Sequence, residues 1–173
     1  YLYTTNAMET SKLDLVNNKI VELIELKRVV ARWQLKREKV VFTNGVFDII
    51  HKGHVEYLLR AADQGNRLIV AVNSDESVKS LNKGTTRPLQ DEGSRVLALA
   101  AMTYIDAVVV FNEHTPENLI AELLPDVLVK GGDYKIEEIV GHKQVQANGG
   151  EVLTIPLTGG YSTTNIEQKI KSA

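Results

Sequence analysis

Two of the four histidines in this chain, His51 and His54, stand three positions apart in the run Ile49-Ile50-His51-Lys52-Gly53-His54. The run leaves a short β-rich segment, Lys39–Thr43, through Asn44-Gly45-Val46-Phe47-Asp48, and a helical pattern opens near His54. Two imidazoles are thus expected at a helix N-terminus, where unpaired backbone N–H groups and the helix dipole favour an anion. Gly53 allows a phosphate to approach the backbone closely, and a bound phosphate raises the pKa of both imidazoles towards the charged form. Histidines at this spacing also occur by coincidence or as part of a metal site. Zinc needs a third ligand and supporting hydrogen bonds, and the remaining histidines, His114 and His142, sit in no ligand motif. The position of the pair, after the first strand and at the head of the first helix, favours phosphate.

Other segments could add to such a site. Ser162-Thr163-Thr164 follows Gly159-Gly160 and opens the last helix, so its hydroxyls and N–H groups make either a second anion site or a plain helix cap. Lys130-Gly131-Gly132-Asp133 lies just past a strand, where glycines let a nucleotide lie against backbone or simply form a turn. The longest polar loop, Ser80–Asp91, carries Lys83 and Arg87 and is a candidate lid over a bound anion; unaided, Arg87 reads as a solvated charge. Asp75 could orient a ribose or substrate group, with helix capping by Ser74 or Asp75 as the alternative. Asp48 reads as structural, fixing the turn before His51.

The elements that must position these residues alternate regularly. From Asn18 to about Leu35, Ile20, Leu23, Ile24, Val30 and Trp33 recur at helical spacing, which predicts an amphipathic helix packed on the main domain. β-Rich runs follow at Lys39–Thr43, Arg67–Asn73, Ala107–Phe111, Val127–Lys130 and Glu151–Pro156. Helical patterns occupy His54–Gln64, Asp91–Thr103, Pro116–Leu124, Ile136–Asn148 and Ser162–Lys171. Strands such as Val108-Val109-Val110 are apolar throughout, as in a sheet covered on both faces. The expected architecture is α/β: a Rossmann-like three-layer sandwich with a five-stranded parallel sheet, order 3-2-1-4-5, and right-handed crossovers. Residues 1–37 form an N-terminal segment and helix, and 38–173 one domain. In such a sheet ligands bind beyond the carboxyl ends of the strands, beside the first strand. Asn44, Gly45, Val46, Phe47 and Gly53 therefore join the histidines in the expected site.

Bulk properties narrow the classes. With 173 residues, 43% hydrophobic and 24% charged, the chain can bury a real core. Its net charge of −2 gives no global pull towards nucleic acid or an anionic membrane. The absence of cysteine excludes disulfides, thiolate nucleophiles and cysteine-ligated metals, and suits a reducing cytoplasm. No apolar run approaches the roughly 20 residues of a membrane span, and Tyr1–Thr10 lacks the features of a signal peptide. Met8 is the expected natural start, with Tyr1–Ala7 foreign to the fold.

The run TNGVFDIIHKGH resembles the signature of the HxGH nucleotidyltransferase superfamily, which includes cytidylyltransferases. VAVNSDESVKSL, TTRPL, LLPDVLVKGGDYKIEEIVG, GGEVLTIP and GGYSTTNI look like the adenylyltransferase domain of the ADP-heptose synthase family, in the family's order from about Lys39 to Ile170. The resemblance implies transfer of AMP from ATP, with Mg²⁺ carried by the nucleotide, to D-glycero-β-D-manno-heptose 1-phosphate. It implies that Val46 and Phe47 lie along the nucleotide, that His51, His54, Lys83 and Ser162–Thr164 meet its phosphates, and that Lys130–Asp133 edge the nucleoside pocket. A sugar kinase domain, fused or separate, is implied as partner, and a homodimer is allowed by the exposed faces of the N-terminal helix. The rivals are a cytidylyltransferase for glycerol 3-phosphate or a similar alcohol phosphate, and a non-catalytic nucleotide-binding module. The first typically carries an arginine before its last glycine-and-STT segment, where this chain has Leu157-Thr158-Gly159-Gly160-Tyr161. The second would be expected to lose a histidine or the lysine.

Overall fold

A computed structural model describes residues 10–81 and 87–172. Five parallel strands, β1 (Val40–Gly45), β2 (Arg67–Asn73), β3 (Ala107–Phe111), β4 (Val127–Gly131) and β5 (Glu151–Ile155), form one sheet in the order β3-β2-β1-β4-β5. The order agrees with the expectation, and β1 lies at the centre, where the winding reverses. Alternate residues of each strand face opposite layers. Phe42, Ile69, Val109 and Leu128 join a core beneath α2 (Leu23–Leu35), α6 (Glu117–Leu123) and α7 (His142–Ala147). Val41, Val70, Val108 and Val129 join the opposite core beneath α3 (Lys52–Ala62) and α5 (Glu92–Ala100). Covering on both faces explains why the strands read as unbroken apolar runs.

The N-terminal part differs from the single helix expected from Asn18. Helix α1 (Lys12–Asn17) begins at a reciprocal Ser11–Asp14 capping box, and α2 starts only at Leu23. Between them the chain runs extended along the open edge of β3. Val108 donates its N–H to Lys19 O at 2.8 Å, and Val21 donates to Val108 O at 3.0 Å. Ile20 therefore serves as a one-residue strand pairing with Val108 rather than as a helical face residue. This pairing satisfies the outward N–H and C=O of Val108 and so shortens the open edge of β3. Leu26 and Val30 then anchor α2 in the core, each worth about 1.5–3 kcal/mol of burial.

Two further departures have local causes. The stretch expected as one helix over Ile136–Asn148 is a 3₁₀ turn, Ile136–Glu138, followed by α7. Gly141 separates them with φ of +87°, and a Cβ there would lie 2.7 Å from Ile120 Cδ1, so only glycine fits. Helix α4 (Asp75–Ser80) follows β2 directly, where the sequence pattern predicts no helix, but the capping role weighed for Ser74 is found, its Oγ accepting the Ser77 N–H at 3.1 Å. The last helix, α8 (Thr163–Lys171), buries none of its residues. No helix among the described residues is long and apolar enough to cross a membrane.

Candidate active site

Strand β1 ends at Gly45 and the chain turns through Phe47, a non-glycine residue held in the left-handed region at φ of +51°. Such a conformation costs of order 1–3 kcal/mol and persists where its surroundings fix it. The Phe47 ring is buried, and its edge meets the His54 ring at a centroid distance of 5.4 Å. Gly45 makes room for this turn, since a Cβ there would stand 2.9 Å from the Phe47 ring.

His51 is the N-cap of α3, and its Nδ1 accepts the backbone N–H of His54 at 3.3 Å. The neutral His51 ring therefore carries its proton on Nε2. His54 Nδ1 lies 3.1 Å from the Ile49 carbonyl oxygen and donates to it, which leaves its Nε2 a bare acceptor while the ring is neutral. The rings stack with centroids 3.8 Å apart and planes 16° from parallel. Burial, and then the neighbouring His51, push the His54 pKa down from 6.5 to about 4; burial also lowers that of His51. Both rings are neutral at pH 7 until an anion arrives. A Cβ on Gly53 would come within 3.2 Å of both the His51 ring and Tyr161 Cβ, so the glycine lets the starts of α3 and α8 converge.

These histidines line a cavity of about 560 Å³ together with Ser162, Thr163 and Thr164. Ser162 Oγ caps α8 by accepting the Asn165 N–H at 3.1 Å, whereas Thr163 and Thr164 hydroxyls take no hydrogen bond from the described residues. The glycine loop before α8 is tied to α3: Thr158 donates its hydroxyl to Glu56, and Lys52 Nζ lies 5.5 Å from the Tyr161 ring centre.

Asp48 and Arg87 also line this cavity. Arg87 is not the solvated charge expected. Its side chain is 12% exposed and bridges Asp48 and Glu167, each at 2.9 Å. Asp48 is structural as expected, but it acts at a distance, accepting the Leu89 and Gln90 N–H groups at 2.8 and 2.9 Å. Asp75 lines neither of the cavities described here and pairs instead with Arg95 at 2.7 Å. Lys83 falls outside the described residues.

A second cavity, of about 290 Å³, opens on the other side of the β1 end. Asn44, Gly45 and Lys130 line it, and Val46 borders both cavities. Lys130 Nζ donates to Asn44 Oδ1 at 3.4 Å and lies 5.9 Å from the Tyr134 ring centre. Gly131, Gly132 and Asp133 line neither space.

Sequence reasoning missed Arg95. Fully buried, it gives its guanidinium to the carbonyls of Val46 and Asn73 at 2.8 Å and of Gln90 at 3.1 Å, as well as to Asp75. It thereby clamps the ends of β1 and β2 beneath the site. The available signal was a charge at the same helical face as Val96, Leu99 and Ala100, all of which are buried.

A histidine pair at the head of the first crossover helix, beyond the central strand of a 3-2-1-4-5 parallel sheet, defines a Rossmann-like nucleotidyltransferase of the HxGH class. The chain belongs to the cytidylyltransferase-like family, whose profile matches residues 42–169. It is 55% identical over 152 residues to the bifunctional protein HldE of Pasteurella multocida, covering 88% of this chain and 32% of that protein. To the protein of the same name from Shigella sonnei it is 58% identical over 147 residues, covering 85% and 31%. The chain thus spans about a third of the length of the curated relatives it matches. Among solved structures, the lipopolysaccharide core biosynthesis protein from Thermoplasma volcanium is 27% identical with a TM-score of 0.58, covering 70% of this chain and 97% of that one. Pantothenate synthetase from Thermus thermophilus, at 16% identity and a TM-score of 0.60 over 88% of this chain and 70% of that one, shares the fold.

Proposed function

We propose that this chain transfers AMP from ATP to a sugar 1-phosphate, D-glycero-β-D-manno-heptose 1-phosphate, giving ADP-heptose and pyrophosphate. The observation that carries the reading is the stacked His51–His54 pair in one cavity with the hydroxyls of Thr163 and Thr164, which hold no hydrogen bond among the described residues. The extended sequence resemblance and the relation to proteins called bifunctional support the choice of substrate. Their greater length leaves room for the sugar kinase that would supply the acceptor. A soluble, cytoplasmic enzyme drawing on ATP fits the lack of a membrane-spanning helix among the described residues.

In this reaction a phosphate oxygen of the acceptor forms a bond to the α-phosphorus, and the bond from that phosphorus to the bridging oxygen of the β-phosphate breaks. The acceptor is already an oxyanion, so no general base or protein nucleophile is required. What the protein must supply is in-line placement and positive potential. His51 Nε2–H is set to donate to a phosphate oxygen as it stands. His54 Nε2 donates only after the ring takes a proton, which the triphosphate's charge favours. The start of α8 adds backbone N–H groups and two threonine hydroxyls.

Among the described residues no three carboxylates or histidines cluster to hold a metal. Asp48, the carboxylate lining the cavity, is taken by Arg87 and two backbone N–H groups. In this reading Mg²⁺ rides on the triphosphate, neutralising part of its charge through the phosphate oxygens.

Pyrophosphate release measured with ATP and CTP in parallel, each with heptose 1-phosphate and with glycerol 3-phosphate, tests the proposal. Turnover of ATP with heptose 1-phosphate is expected to dominate. Faster turnover of CTP with glycerol 3-phosphate would replace it with the cytidylyltransferase reading. Nucleotide binding without turnover of any pair would make the chain a binding module.

A further inference from the structure

We infer that the second cavity is the subsite that reads the hydroxyls of the acceptor sugar, with Asn73, His114 and Thr115 as its polar wall and Tyr134 as its ring-stacking face. This deepens the proposed transfer to a sugar 1-phosphate and rests on it. The cavity sits at the carboxyl ends of β1, β2 and β4 and shares Val46 with the histidine-lined space. A sugar seated there points its phosphate across Val46 towards the site of the nucleotide's phosphates.

Size and chemistry select the occupant. At about 290 Å³ the space is half that of its neighbour and lies at the small end of the roughly 300–1,000 Å³ typical of ligand pockets. That suits a single sugar ring and leaves the larger space to the nucleotide, so that Asn44, Gly45 and Lys130, expected beside the nucleotide, edge the sugar instead. Asn73 is buried and donates its amide to Ser77 Oγ at 2.9 Å. Its carbonyl oxygen takes no bond from the described residues and is not fully buried, and Asn73 lines the cavity. Thr115 and His114 hold no hydrogen bond within the described residues either. An acceptor, a hydroxyl and an imidazole that both donate and accept match vicinal alcohols. Tyr134, 49% exposed, offers an aromatic face beside them. Groups built to hydrogen-bond an alcohol reject an analogue lacking it, because they are then left unpaired.

Thr115→Val, His114→Ala and Tyr134→Ala all fall at half-buried or exposed positions, and a thermal melt checks that each variant folds. Calorimetric titration of each with D-glycero-β-D-manno-heptose 1-phosphate, and separately with ATP, reads the subsite. Sugar phosphate binding is expected to weaken about five- to tenfold for Thr115→Val and for His114→Ala, the equivalent of one hydrogen bond each. Tyr134→Ala should weaken it at least as much, with ATP binding unchanged throughout. Weaker ATP binding with sugar phosphate binding intact would give the cavity to the nucleoside and overturn the inference. So would wild-type protein that does not bind the sugar phosphate, or variants that all bind it normally. Wild-type pyrophosphate release is measured alongside. Sugar phosphate binding that the variants weaken, without pyrophosphate release, keeps the subsite and removes the proposed reaction.

Discussion

The imidazole of His51 lies face to face on that of His54, with centroids 3.8 Å apart, and the two rings present unlike nitrogens to the same cavity. His51 spends its Nδ1 lone pair on the N–H that starts α3, and His54 spends its Nδ1 proton on the Ile49 carbonyl. One ring is therefore a ready donor. The other becomes one only by protonation, at the cost of putting a cation in a partly buried place beside its neighbour. Such a pair is poised for an incoming anion to pull a proton on, which distinguishes it from two permanently charged lysines.

Replacing His54 by alanine should reduce pyrophosphate release by about 10²–10³, the usual loss when one preorganised contact to developing charge is removed. The fold should survive, because the cap of α3 belongs to His51 and not to His54. Steady-state turnover together with a thermal melt tests both halves. A folded variant with normal turnover removes the role assigned to this ring.

Acid should weaken the free protein through the same residue. Burial, then His51, hold the His54 pKa at about 4, against an ordinary value of 6.5. Below pH 6.5 the unfolded chain binds a proton there while the folded chain does not until about pH 4. The stability contributed by the neutral ring is thus complete above pH 6.5 and declines as the pH falls from 6.5 towards 4. His54→Gln should flatten that part of the Tm-against-pH curve. ATP has the opposite preference for protonation state, so its binding should take up protons near neutrality. Calorimetry in buffers of different ionisation enthalpy reads that uptake, and an identical heat in all of them would contradict it.

Much of this was legible because it is local. Apolar runs gave the strands, their alternation with helices gave the parallel sheet, and the HxGH spacing marked the head of α3. What escaped depends on partners far apart in sequence. Ile20 looks helical by spacing, and only its pairing with Val108 across the sheet edge makes it a strand. Arg87 looked solvated because Asp48 and Glu167, which hold it, lie 39 and 80 residues away. Gly141 interrupts a good helical pattern because Ile120 of another helix occupies the space a side chain would need.

The Asp48–Arg87 pair should be worth more to the fold than its place in the cavity suggests. Asp48→Ala removes the acceptor of two backbone N–H groups and unpairs one side of a nearly buried guanidinium. A loss of about 3 kcal/mol or more is expected in urea denaturation. Arg87→Ala should cost less, because Asp48 keeps its two backbone donors. It should nevertheless loosen α8, which buries no residue and is tied to the loop through Glu167. Hydrogen exchange of the α8 amides would then quicken while that of β1 and β2 stays slow.

Arg95 makes the sharpest test of how the site is supported. Its guanidinium holds two strand-end carbonyls, the Gln90 carbonyl and the Asp75 carboxylate, all from a fully buried position. Arg95→Met keeps the stem and removes the donors, leaving the buried Asn73 carbonyl and three partly buried acceptors unpaired; a loss of about 3–5 kcal/mol is expected in chemical denaturation. Lysine should recover only part of it, since an ammonium cannot reproduce the planar fork that spans β1, β2 and the loop. Val46 borders both cavities, so any folded Arg95→Lys protein should also show raised KM for both substrates, with the histidines untouched. If Arg95→Met lost under about 1 kcal/mol, water would have to reach these carbonyls, and the strand ends would owe their placement to packing alone.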